Sequence, residues 1–342
     1  MRPDVARATL RELAALQADR EDPETDEEPG KIVHEYRPNA EQRFVDMGWP
    51  VRDGELRYYG SADSTSWFLV VLDALGDAQL ARELEPNWRA AAAWLERSLE
   101  RGGGVVRWGP RRGSGGLIQQ GWRDTTGPHA AYGGGILTPD GSVPEPPVAD
   151  ADVQAVAVAA LRAVASLSGD PRWLELLERT RARVAELFDP ETMAVDAHDR
   201  PVRGAGSQLG WLLWAGALPE DDVERFAERL TRPDILTEYG LRTLSSEHPQ
   251  FAATAYHRGA VWPFDSWFGW GGLRAADRER EAERVRDGVL DALDRLGQAP
   301  ELYAVVAGQP ERVPIANQLQ AWTIGARWAF SVGYDARPLQ HE

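Results

Sequence analysis

The sequence predicts an all-α fold and, within that class, an (α/α)6 barrel: a toroid of helical hairpins with long irregular loops at one end. Three observations predict it. About ten segments have apolar residues at helical spacing, short turns alternate with long loops between them, and strand signals are few. Helices such as residues 153–165 are apolar nearly all round, as expected for an inner layer covered by an outer one. A superhelical stack of helix pairs fits the same rhythm and stays open as the alternative.

The predicted helices run through the whole chain, so residues 1–342 are expected to form a single domain. In chain order they cover residues 5–18, 63–75, 85–99, 151–167, 171–188, 207–217, 219–230, 257–273, 276–296 and 316–330. Two helix starts are marked by Asp63, an acid suited to capping, and by Pro171, whose fixed φ angle suits a first turn. Local hairpins are expected at residues 104–108 and 193–195.

Four segments lack helical periodicity. Residues 19–30 are acidic and contain two prolines, which predicts an exposed loop. The other three are residues 30–62, 102–147 and 232–256. Long irregular segments inside a compact domain are usually functional or disordered, and the aromatic residues of the first argue against disorder. Because a toroid gathers its loops at one end, we expect the unusual residues of the chain there.

Composition narrows the function classes. The 342 residues include no cysteine, which excludes disulfides, thiolate catalysis and cysteine-bound metals. A net charge of −16 makes nucleic acid an unfavourable partner, because a negative field repels phosphates. No run approaches the roughly 18 apolar residues that span a membrane. The first helix carries Arg7, Arg11 and Glu12 instead of a signal-peptide core, so we expect a soluble, cytoplasmic protein without a membrane partner.

No cofactor is expected from the motifs. His34 and His257 are isolated and lack a metal-ligand spacing such as His-Glu-x-x-His. The glycine runs near residues 102 and 113 lack the lysine and the strand-to-helix context of phosphate-binding loops. Neither a metal ion nor a nucleotide is therefore predicted.

Tryptophan is the informative residue type, with fourteen in the chain. Its wide apolar face and polar N–H edge suit flat, hydroxyl-rimmed ligands such as sugars. Four tryptophans lie in apolar helical patterns and are interpreted as core: Trp67, Trp94, Trp173 and Trp214. Three others lie beside polar clusters and are candidates for a site: Trp122, Trp262 and Trp322.

One carboxylate has an unusual setting. Asp124 ends the run Leu-Ile-Gln-Gln-Gly-Trp-Arg-Asp, which follows a glycine-rich segment. A neighbouring ring removes water from a carboxyl group, while a guanidinium favours its ionised form, and such opposed influences tune acids for proton transfer. The alternative is that Asp124 caps a helix or pairs with Arg123.

Polar and aromatic residues recur together in five loop clusters: residues 31–37, 58–65, 120–124, 256–265, and 300–303 with 317–322. Glu301 supplies a second carboxylate, and two carboxylates on separate loops would provide the acid and base of glycoside hydrolysis. Each residue also has a structural interpretation. Asp63 could cap a helix, His257 and Arg258 could form a polar network at a helix start, and Glu301 could pair with an arginine.

The motifs of these clusters resemble the catalytic domain of amylo-α-1,6-glucosidase-like proteins, the bacterial and archaeal glycogen-debranching relatives of glucoamylase. The matching runs occur in the same order: Gly30-Lys-Ile-Val-His-Glu-Tyr-Arg37, Tyr58-Tyr-Gly-Ser-Ala-Asp63, Gln120-Gly-Trp-Arg-Asp124, Tyr256-His-Arg-Gly-Ala-Val-Trp262-Pro and Pro300-Glu-Leu-Tyr303. The resemblance implies an (α/α)6 barrel and an inverting hydrolase of α-glucosidic bonds in an oligosaccharide or small glucoside. It implies Asp124 as the general acid and Glu301 as the general base, with their carboxyl groups roughly 6.5–9.5 Å apart.

Substrate-binding residues follow from the clusters and the resemblance together: Glu35, Arg37, Tyr59, Asp63, Gln120, Trp122, Arg123, Asp152, Gln154, His257, Arg258, Trp262, Gln320 and Trp322. Among these, Asp63 matches an acid that binds hydroxyls of the glucose in the cleaved subsite. The sequence departs from the resemblance in three places. Asp152-Val-Gln154 replaces the usual Glu-Val-Gln, residues 125–129 differ from the usual Asp-Ser-rich stretch, and the N-terminal β-sandwich domain of many relatives is absent from the sequence.

Three other functions stay open. A group that hydrolyses glucosyl- or mannosylglycerate shares the barrel and a similar pocket. A sugar isomerase or epimerase on the same barrel would use His34 and His257 for proton transfer beside a sugar carbonyl. A sugar-binding protein that has lost catalysis is the third. Linkage, aglycone, chain-length preference and oligomeric state do not follow from the sequence.

Overall fold

Helices dominate the computed structural model, which describes residues 3–109, 116–124 and 134–335. This part of the chain contains twelve α-helices and ten short β-strands. The predicted all-α class is confirmed. The centre of the predicted loop of residues 102–147, including the sequence departure at residues 125–129, lies outside the described residues.

The chain divides into two compact units. Unit 1 contains Met1–Asp124 and Val156–Arg183, and unit 2 contains Thr125–Ala155 and Val184–Glu342. Each unit is therefore built from two stretches of sequence, and two helices carry the chain from one unit to the other. The expectation of a single domain over residues 1–342 stays a prediction.

Unit 1 opens with a helix, a small sheet and three further helices. Its elements are α1 (Pro3–Ala15), β1 (Glu35–Arg37), α2 (Gln42–Asp46), β2 (Val51–Arg52), β3 (Glu55–Tyr58), α3 (Ser64–Ala74), α4 (Ala78–Glu83), α5 (Glu85–Arg101), and most of α6 (Ala151–Ser168) and α7 (Arg172–Leu187). In α5, buried Trp88, Ala91, Ala92, Leu95 and Leu99 recur at helical spacing. This spacing gives α5 one apolar face, and the helix packs on α3.

Two helices of unit 1 were not predicted, α2 and α4. Both are shorter than two turns, too short for an apolar period to repeat. The start of α4 has a clear local cause, because Asp77 accepts hydrogen bonds from the backbone N–H groups of Gln79 and Leu80 at 3.1 and 3.0 Å.

The segment of residues 30–62, expected to be irregular, contains the strand order β1-β3-β2. All pairs are antiparallel, with Glu35 opposite Tyr58 and Val51 opposite Leu56. Leu56 and Tyr58 are buried in one cluster with Phe44. The strands escaped prediction because each has four residues or fewer, so alternation between a buried and an exposed face has no room to repeat.

The acidic segment of residues 19–30 is not an exposed loop throughout, and the sequence expectation is corrected here. Thr25, Asp26, Glu27 and Glu28 are all buried. Glu27 pairs with Arg20 at 2.9 Å, and Glu28 pairs with Arg101 at 2.6 Å. Positive partners, one of them distant in sequence, therefore compensate the acidic charge, which lets the carboxylates leave water.

Unit 2 combines helices with three small sheets. Its elements are β4 (Ala149–Asp150), β5 (Thr192–Val195), β6 (Pro201–Arg203), α8 (Gln208–Trp214), α9 (Glu220–Leu230), β7 (Leu236–Thr237), β8 (Gly240–Leu241), α10 (Pro263–Ala275), α11 (Glu279–Leu296), β9 (Tyr303–Val306), β10 (Gln309–Arg312) and α12 (Ala321–Val332). The sheets are β4-β5-β6, β7-β8 and β9-β10. The hairpin predicted at residues 193–195 is confirmed by β5 and β6, whereas residues 104–108 form no strand.

The centre of unit 2 is the contact between α8 and α10. Glycines allow the two backbones to approach closely, since a Cβ atom on Gly210 would lie 2.4 Å from the Cα atom of Gly269. The Trp211 ring packs against the Phe268 ring at a tilt of 31° with ring centres 4.0 Å apart, and its indole N–H donates to Asp265 at 2.6 Å. Nine of the thirteen residues of α10 are buried, which agrees with its lack of a polar face.

The helix predicted over residues 257–273 begins later, at Pro263. Residues 257–259 form a turn, and Val261 exchanges two backbone hydrogen bonds with Tyr303, at 2.8 and 3.0 Å. Proline fixes φ and has no N–H to lose, so it suits the first helical position. A pairing with a strand forty residues away cannot be read from a local pattern.

The expectation that no segment is apolar enough to span a membrane is also corrected. The 18 residues of α6, Ala151–Ser168, have a mean hydropathy of 1.3 and reach the length and composition of a membrane span. Within the described chain, 72% of that stretch is buried inside the protein. This burial is what a core helix shows, and it matches the all-round apolar pattern seen in the sequence.

Candidate functional site

Two loops of unit 1 are tied together beside the start of α3. The backbone N–H of Ala62 donates to the carbonyl oxygen of Gln120 at 2.8 Å. The Tyr58 hydroxyl oxygen accepts from the N–H of Leu117 at 3.0 Å. Gly60 is required between them, because a Cβ atom there would lie 1.9 Å from the Tyr58 hydroxyl oxygen. The loop before α3 is therefore fixed against the Gly-Trp-Arg-Asp loop.

Gln120 strengthens the same junction. Its side-chain amide donates to Asp26 at 2.8 Å and to the Tyr58 hydroxyl at 3.3 Å, while its oxygen accepts from the N–H of Gly109 at 3.3 Å. The side chain is buried. These contacts give Gln120 a structural task, and its predicted substrate-binding role stays a prediction.

Asp63 precedes α3 but does not cap it. Its carboxylate accepts no hydrogen bond from the first N–H groups of the helix. Instead the Ser61 hydroxyl donates to Asp63 Oδ1 at 2.6 Å. Burial raises the pKa of Asp63, the Ser61 hydrogen bond and the charge of His34 lower it, and the charge of Asp124 raises it. Burial is the largest of these effects, so Asp63 keeps its proton to higher pH than an exposed aspartate.

Asp124 lies half-buried at the end of its loop. The neighbouring Arg123 is only 2% exposed, and its guanidinium lies 4.7 Å from the centre of the Trp122 ring. The charge of Asp124 raises the pKa of Asp63, so the two carboxyl groups lie close enough for an electrostatic interaction. Unit 1 therefore brings together Asp63, Trp122, Arg123 and Asp124.

Three other predicted binding residues of unit 1 make structural contacts. Glu35 pairs with Arg37 at 2.5 Å, and the Arg37 guanidinium lies 4.6 Å from the Phe44 ring centre. Tyr59 is buried, its hydroxyl donates to the Leu16 carbonyl oxygen at 2.6 Å, and burial raises its pKa to about 12. These contacts account for the residue types without a ligand, so binding by all three stays a prediction.

In unit 2, Glu301 lies in a nest of amide donors. Gln320 Nε2 donates to Glu301 Oε1 at 3.3 Å, and the backbone N–H of Asn317 donates to Oε2 at 3.3 Å. The glutamate is 5% exposed. The alternative that Glu301 pairs with an arginine finds no support among the described residues, where no such ion pair occurs. These amide donors hold the two carboxyl oxygens of Glu301 in a fixed direction, and a general base must be held in this way.

Aromatic rings form a wall in the same unit. His257 stacks on Trp262 at 5.0 Å between ring centres and 6° between planes, and Tyr256 meets Trp262 edge-on at 4.8 Å. The Trp262 indole N–H donates to the Tyr256 carbonyl oxygen at 2.7 Å. Trp322, 41% exposed, lies 5.7 Å from Trp262 and stacks on Phe264 at 4.4 Å. An exposed ring face beside a buried aromatic stack is suited to an apolar sugar face.

The tryptophan assignments divide as follows. Trp94, Trp173 and Trp214 are buried, as expected for core residues, while Trp67 is half-buried. Of the three site candidates, Trp262 is buried, Trp122 is half-buried and Trp322 is exposed.

The remaining predicted binding residues of unit 2 lie below its surface. Arg258 donates to the carbonyl oxygen of Gln250 at 2.7 Å, and burial lowers its pKa. Asp152 and Gln154 are buried in the first turn of α6, where the Gln154 amide donates to the Asp150 carbonyl oxygen at 3.0 Å. A role for these residues in binding substrate stays a prediction.

Two residues of the clusters were not singled out from the sequence, Ser61 and Asn317. Both lie within segments that the sequence identified as polar loops, but their hydrogen bonds to the carboxylates were not predicted. A serine two residues before an aspartate, and an asparagine sixteen residues after a glutamate, carry no distinctive spacing. Within the described residues, no group of three or more His, Asp or Glu side chains is placed to hold a metal ion.

A model of the mannosylglycerate hydrolase MGH1-like glycoside hydrolase domain matches residues 65–323. A search of curated proteins found no match. The matched span is well over half of the chain, and it contains both Asp124 and Glu301.

Solved structures from Thermus thermophilus share the fold. The GH63 mannosylglycerate hydrolase in complex with Tris and D-glycerate is 17% identical, with a TM-score of 0.69 over 97% of this chain and 89% of that one. The same enzyme in complex with glucose is 19% identical, with a TM-score of 0.66 over 95% and 88%. An uncharacterized conserved protein is 17% identical, with a TM-score of 0.63 over 96% and 99%. At these identities the likeness shows the fold, an (α/α)6 barrel as predicted.

These findings decide among the functions that the sequence left open. The prediction of a glycoside hydrolase is confirmed, and the epimerase and non-catalytic alternatives are set aside. The matching family is not specific to glycogen debranching, so that part of the resemblance is not confirmed. The chain belongs to the mannosylglycerate hydrolase MGH1-like glycoside hydrolase family and is a glycosidase.

Proposed function

We propose that this enzyme hydrolyses a small α-linked hexosyl glycoside with inversion, and that a hexosylglycerate is its substrate. The observation that carries the proposal is the family match over residues 65–323, because the family takes its name from a mannosylglycerate hydrolase. The solved relative in complex with D-glycerate supports the choice of aglycone. Hydrolysis of α-glucosidic bonds in oligosaccharides, implied by the debranching resemblance, is the second candidate.

In the proposed mechanism Asp124 is the general acid and Glu301 the general base. Asp124 donates its proton to the glycosidic oxygen as the bond from that oxygen to the anomeric carbon breaks. A water molecule attacks the anomeric carbon from the opposite face, and Glu301 accepts a proton from it. The products are the free sugar, with inverted configuration, and the released alcohol. One proton leaves Asp124 and one reaches Glu301, so solvent restores both groups after each turnover.

The two environments support this division of roles. Glu301 receives hydrogen bonds from a backbone N–H and a side-chain amide, which hold its carboxyl oxygens in a fixed direction, as a general base requires. Asp124 lies beside the Arg123–Trp122 stack and near the carboxyl of Asp63. An aromatic face and a second carboxyl group therefore lie beside the proposed acid, where a sugar ring would be held.

Asp63 is proposed to bind hydroxyl groups of the sugar that is released. Burial of a carboxyl group is unfavourable unless hydrogen bonds compensate for the lost water, and sugar hydroxyls can provide such hydrogen bonds. Trp122 and Trp322 are proposed to supply apolar faces for the sugar. We also propose a cytoplasmic location, which the absence of cysteine supports.

The decisive experiment incubates the purified protein with mannosylglycerate, glucosylglycerate, and α-1,4- and α-1,6-linked glucosides, and follows the products by proton NMR. We expect cleavage of a hexosylglycerate, with the β-anomer of the sugar appearing first and mutarotation following. A first-formed α-anomer would exclude the inverting mechanism. Cleavage of the α-1,6-linked glucoside with no cleavage of either hexosylglycerate would overturn the proposed substrate and favour the second candidate, an oligosaccharide.

A further inference from the structure

The start of α3 is capped by an unexpected side chain. Asp63 occupies the N-cap position, where an aspartate usually accepts a hydrogen bond from the second or third N–H of the helix, and here it accepts none. The N–H of Ser64 donates to the Ser61 hydroxyl at 3.1 Å instead. Ser61 therefore satisfies one of the unpaired N–H groups of the helix start in place of the aspartate.

The same hydroxyl holds the aspartate. Ser61 Oγ donates its only proton to Asp63 Oδ1 at 2.6 Å, within the short range of hydrogen bonds to charged oxygens. With one hydrogen bond accepted and one donated, the direction of the hydroxyl is set. Ser61 is 2% exposed, and its own N–H donates to the Tyr59 carbonyl oxygen at 2.7 Å. The residue is thus fixed at both its backbone and its side chain.

The consequence concerns the second oxygen of the carboxylate. Among the described residues, the Ser61 hydroxyl is the one side chain that hydrogen-bonds to Asp63. If Asp63 capped the helix itself, its carboxylate would turn toward the backbone N–H groups of α3. With Ser61 in that task, Oδ1 is anchored and Oδ2 remains for another partner.

We propose that Ser61 is a positioning residue: it frees Asp63 from capping α3 and orients its carboxylate so that Oδ2 binds a hydroxyl of the sugar. The inference rests on the proposed function, in which Asp63 contacts substrate. Ser61 itself touches neither the sugar nor the scissile bond.

A pH dependence separates this task from a purely structural one. Burial raises the pKa of Asp63, and the Ser61 hydrogen bond works against that rise because it stabilises the ionised form. The other charged groups that act on Asp63 are His34, which lowers the pKa, and Asp124, which raises it. Removing the Ser61 hydroxyl leaves these two unchanged, so the pKa of Asp63 rises further, and an ionised Asp63 is then formed only at higher pH.

The test compares Ser61→Ala, Ser61→Thr, Asp63→Asn and the double variant Ser61→Ala/Asp63→Asn, with the best hexosylglycerate as substrate. We expect Ser61→Ala to lower kcat/KM about 10-fold, the scale of a hydrogen bond to a charged group. The acidic limb of its pH profile moves to higher pH, and Ser61→Thr, which keeps a hydroxyl, restores both values. In the Asp63→Asn background, Ser61→Ala causes no further loss, because its effect passes through Asp63.

Asp77→Ala is the matched control. Asp77 caps α4 in the same unit, so this variant also loses a helix cap, together with an ion pair to Arg7. We expect a lower melting temperature with an unchanged pH profile. If Ser61→Ala does not fold, Ser61→Cys, whose thiol is a weaker donor, is measured instead with the same expected direction.

The failures of the two proposals are distinguishable. Wild-type kinetics and pH profile in Ser61→Ala, alongside an impaired Asp63→Asn, overturn the positioning role and leave the proposed site intact. An Asp63→Asn variant with wild-type activity contradicts the proposed role of Asp63 in binding substrate. Additive losses in the double variant assign Ser61 a structural task alone, which also overturns the inference.

Discussion

Asp63 in unit 1 and Glu301 in unit 2 are held in a similar way, but by different donor groups. In each, a side chain that caps a helix also holds a carboxylate. Ser61 accepts from the start of α3 and donates to Asp63, and Gln320 accepts from the N–H of Ala321 at the start of α12 and donates to Glu301. In both cases the helix terminus holds the bridging side chain in place, and that side chain in turn holds the carboxylate.

The difference between the two environments lies in what surrounds the carboxylate. Asp63 has one hydroxyl donor, deep burial and a second carboxyl group nearby, and its pKa is raised. Glu301 is also buried but receives hydrogen bonds from two amide side chains and a backbone N–H. Burial beside another acid favours a carboxyl that retains its proton, whereas the donors of Glu301 hold its two oxygens in place. The contrast predicts unlike behaviour on substitution.

The largest effect is expected from the proposed catalytic pair itself. Asp124→Asn and Glu301→Gln should each lower kcat by about 10³-fold, within the contribution of general acid–base catalysis. Neither change alters shape, so circular dichroism and melting temperature should stay near wild type. Glu311→Gln, on the exposed strand β10, is the matched control and should leave turnover unchanged. Full activity in either catalytic variant removes that residue from its proposed role.

A smaller effect is expected from the amide that supports Glu301. Gln320→Ala removes a hydrogen bond to the carboxylate and the cap of α12, and should lower kcat about 10-fold. Gln318→Ala removes an amide two residues away that donates to the carbonyl oxygen of Ala316, and should leave kcat unchanged. An equal loss of kcat in the two variants would mean that any change in this loop lowers activity. The comparison of Gln320 with Ser61 would then be wrong.

The raised pKa of Asp63 predicts a change in stability with pH. An aspartate whose pKa is higher in the folded state binds more protons folded than unfolded, so its contribution to stability is lost as pH rises through the interval between the two values. Asp63→Asn carries no such proton, and should be more stable than wild type at pH 7 and no more stable at pH 3. Urea unfolding at both pH values measures this, and a destabilised Asp63→Asn at pH 7 would contradict the assigned effect of burial.

The smallest effect is expected at Tyr59, which we place outside the substrate site of unit 1. Tyr59→Phe removes the hydrogen bond to the Leu16 carbonyl oxygen and should lower the unfolding free energy by about 1 kcal/mol. We expect kcat and KM to stay at their wild-type values, because the hydroxyl already has a partner. A raised KM would restore the substrate-binding role that the sequence suggested.

Local patterns predicted some elements well and others poorly. α6 and α7 end within one residue of their predicted bounds, because long helices repeat their apolar period several times. The start of α10 was placed at residue 257 instead of Pro263, since Val261 pairs with Tyr303, far away in the sequence. The short strands around Tyr58 were missed for the same reason: their regularity exists only in the pairing.

The candidate site followed a similar rule. The cluster around Asp124 could be found because a ring, a guanidinium and a carboxylate stand side by side in the chain. The segment that holds the donors of Glu301 was also found, but its hydrogen bonds to Glu301 were not, because Asn317 and Gln320 reach the carboxylate only through the fold. The prediction that the acidic segment near Glu28 is exposed was wrong, since the Arg101 guanidinium that compensates this carboxylate comes from a distant position in the chain.

By itself, the sequence determined the helical class, the lack of disulfide chemistry and the segments in which unusual polar residues collect, because composition and short-range periodicity encode these directly. Only the tertiary structure decided which carboxyl is buried, which donor holds it and which side chain caps each helix. Those outcomes depend on desolvation and on hydrogen bonds between residues far apart in the chain. Asp63 illustrates the division: its sequence position suited both a cap and a substrate-binding acid, and in the fold Ser61 accepts the hydrogen bond from the helix start instead.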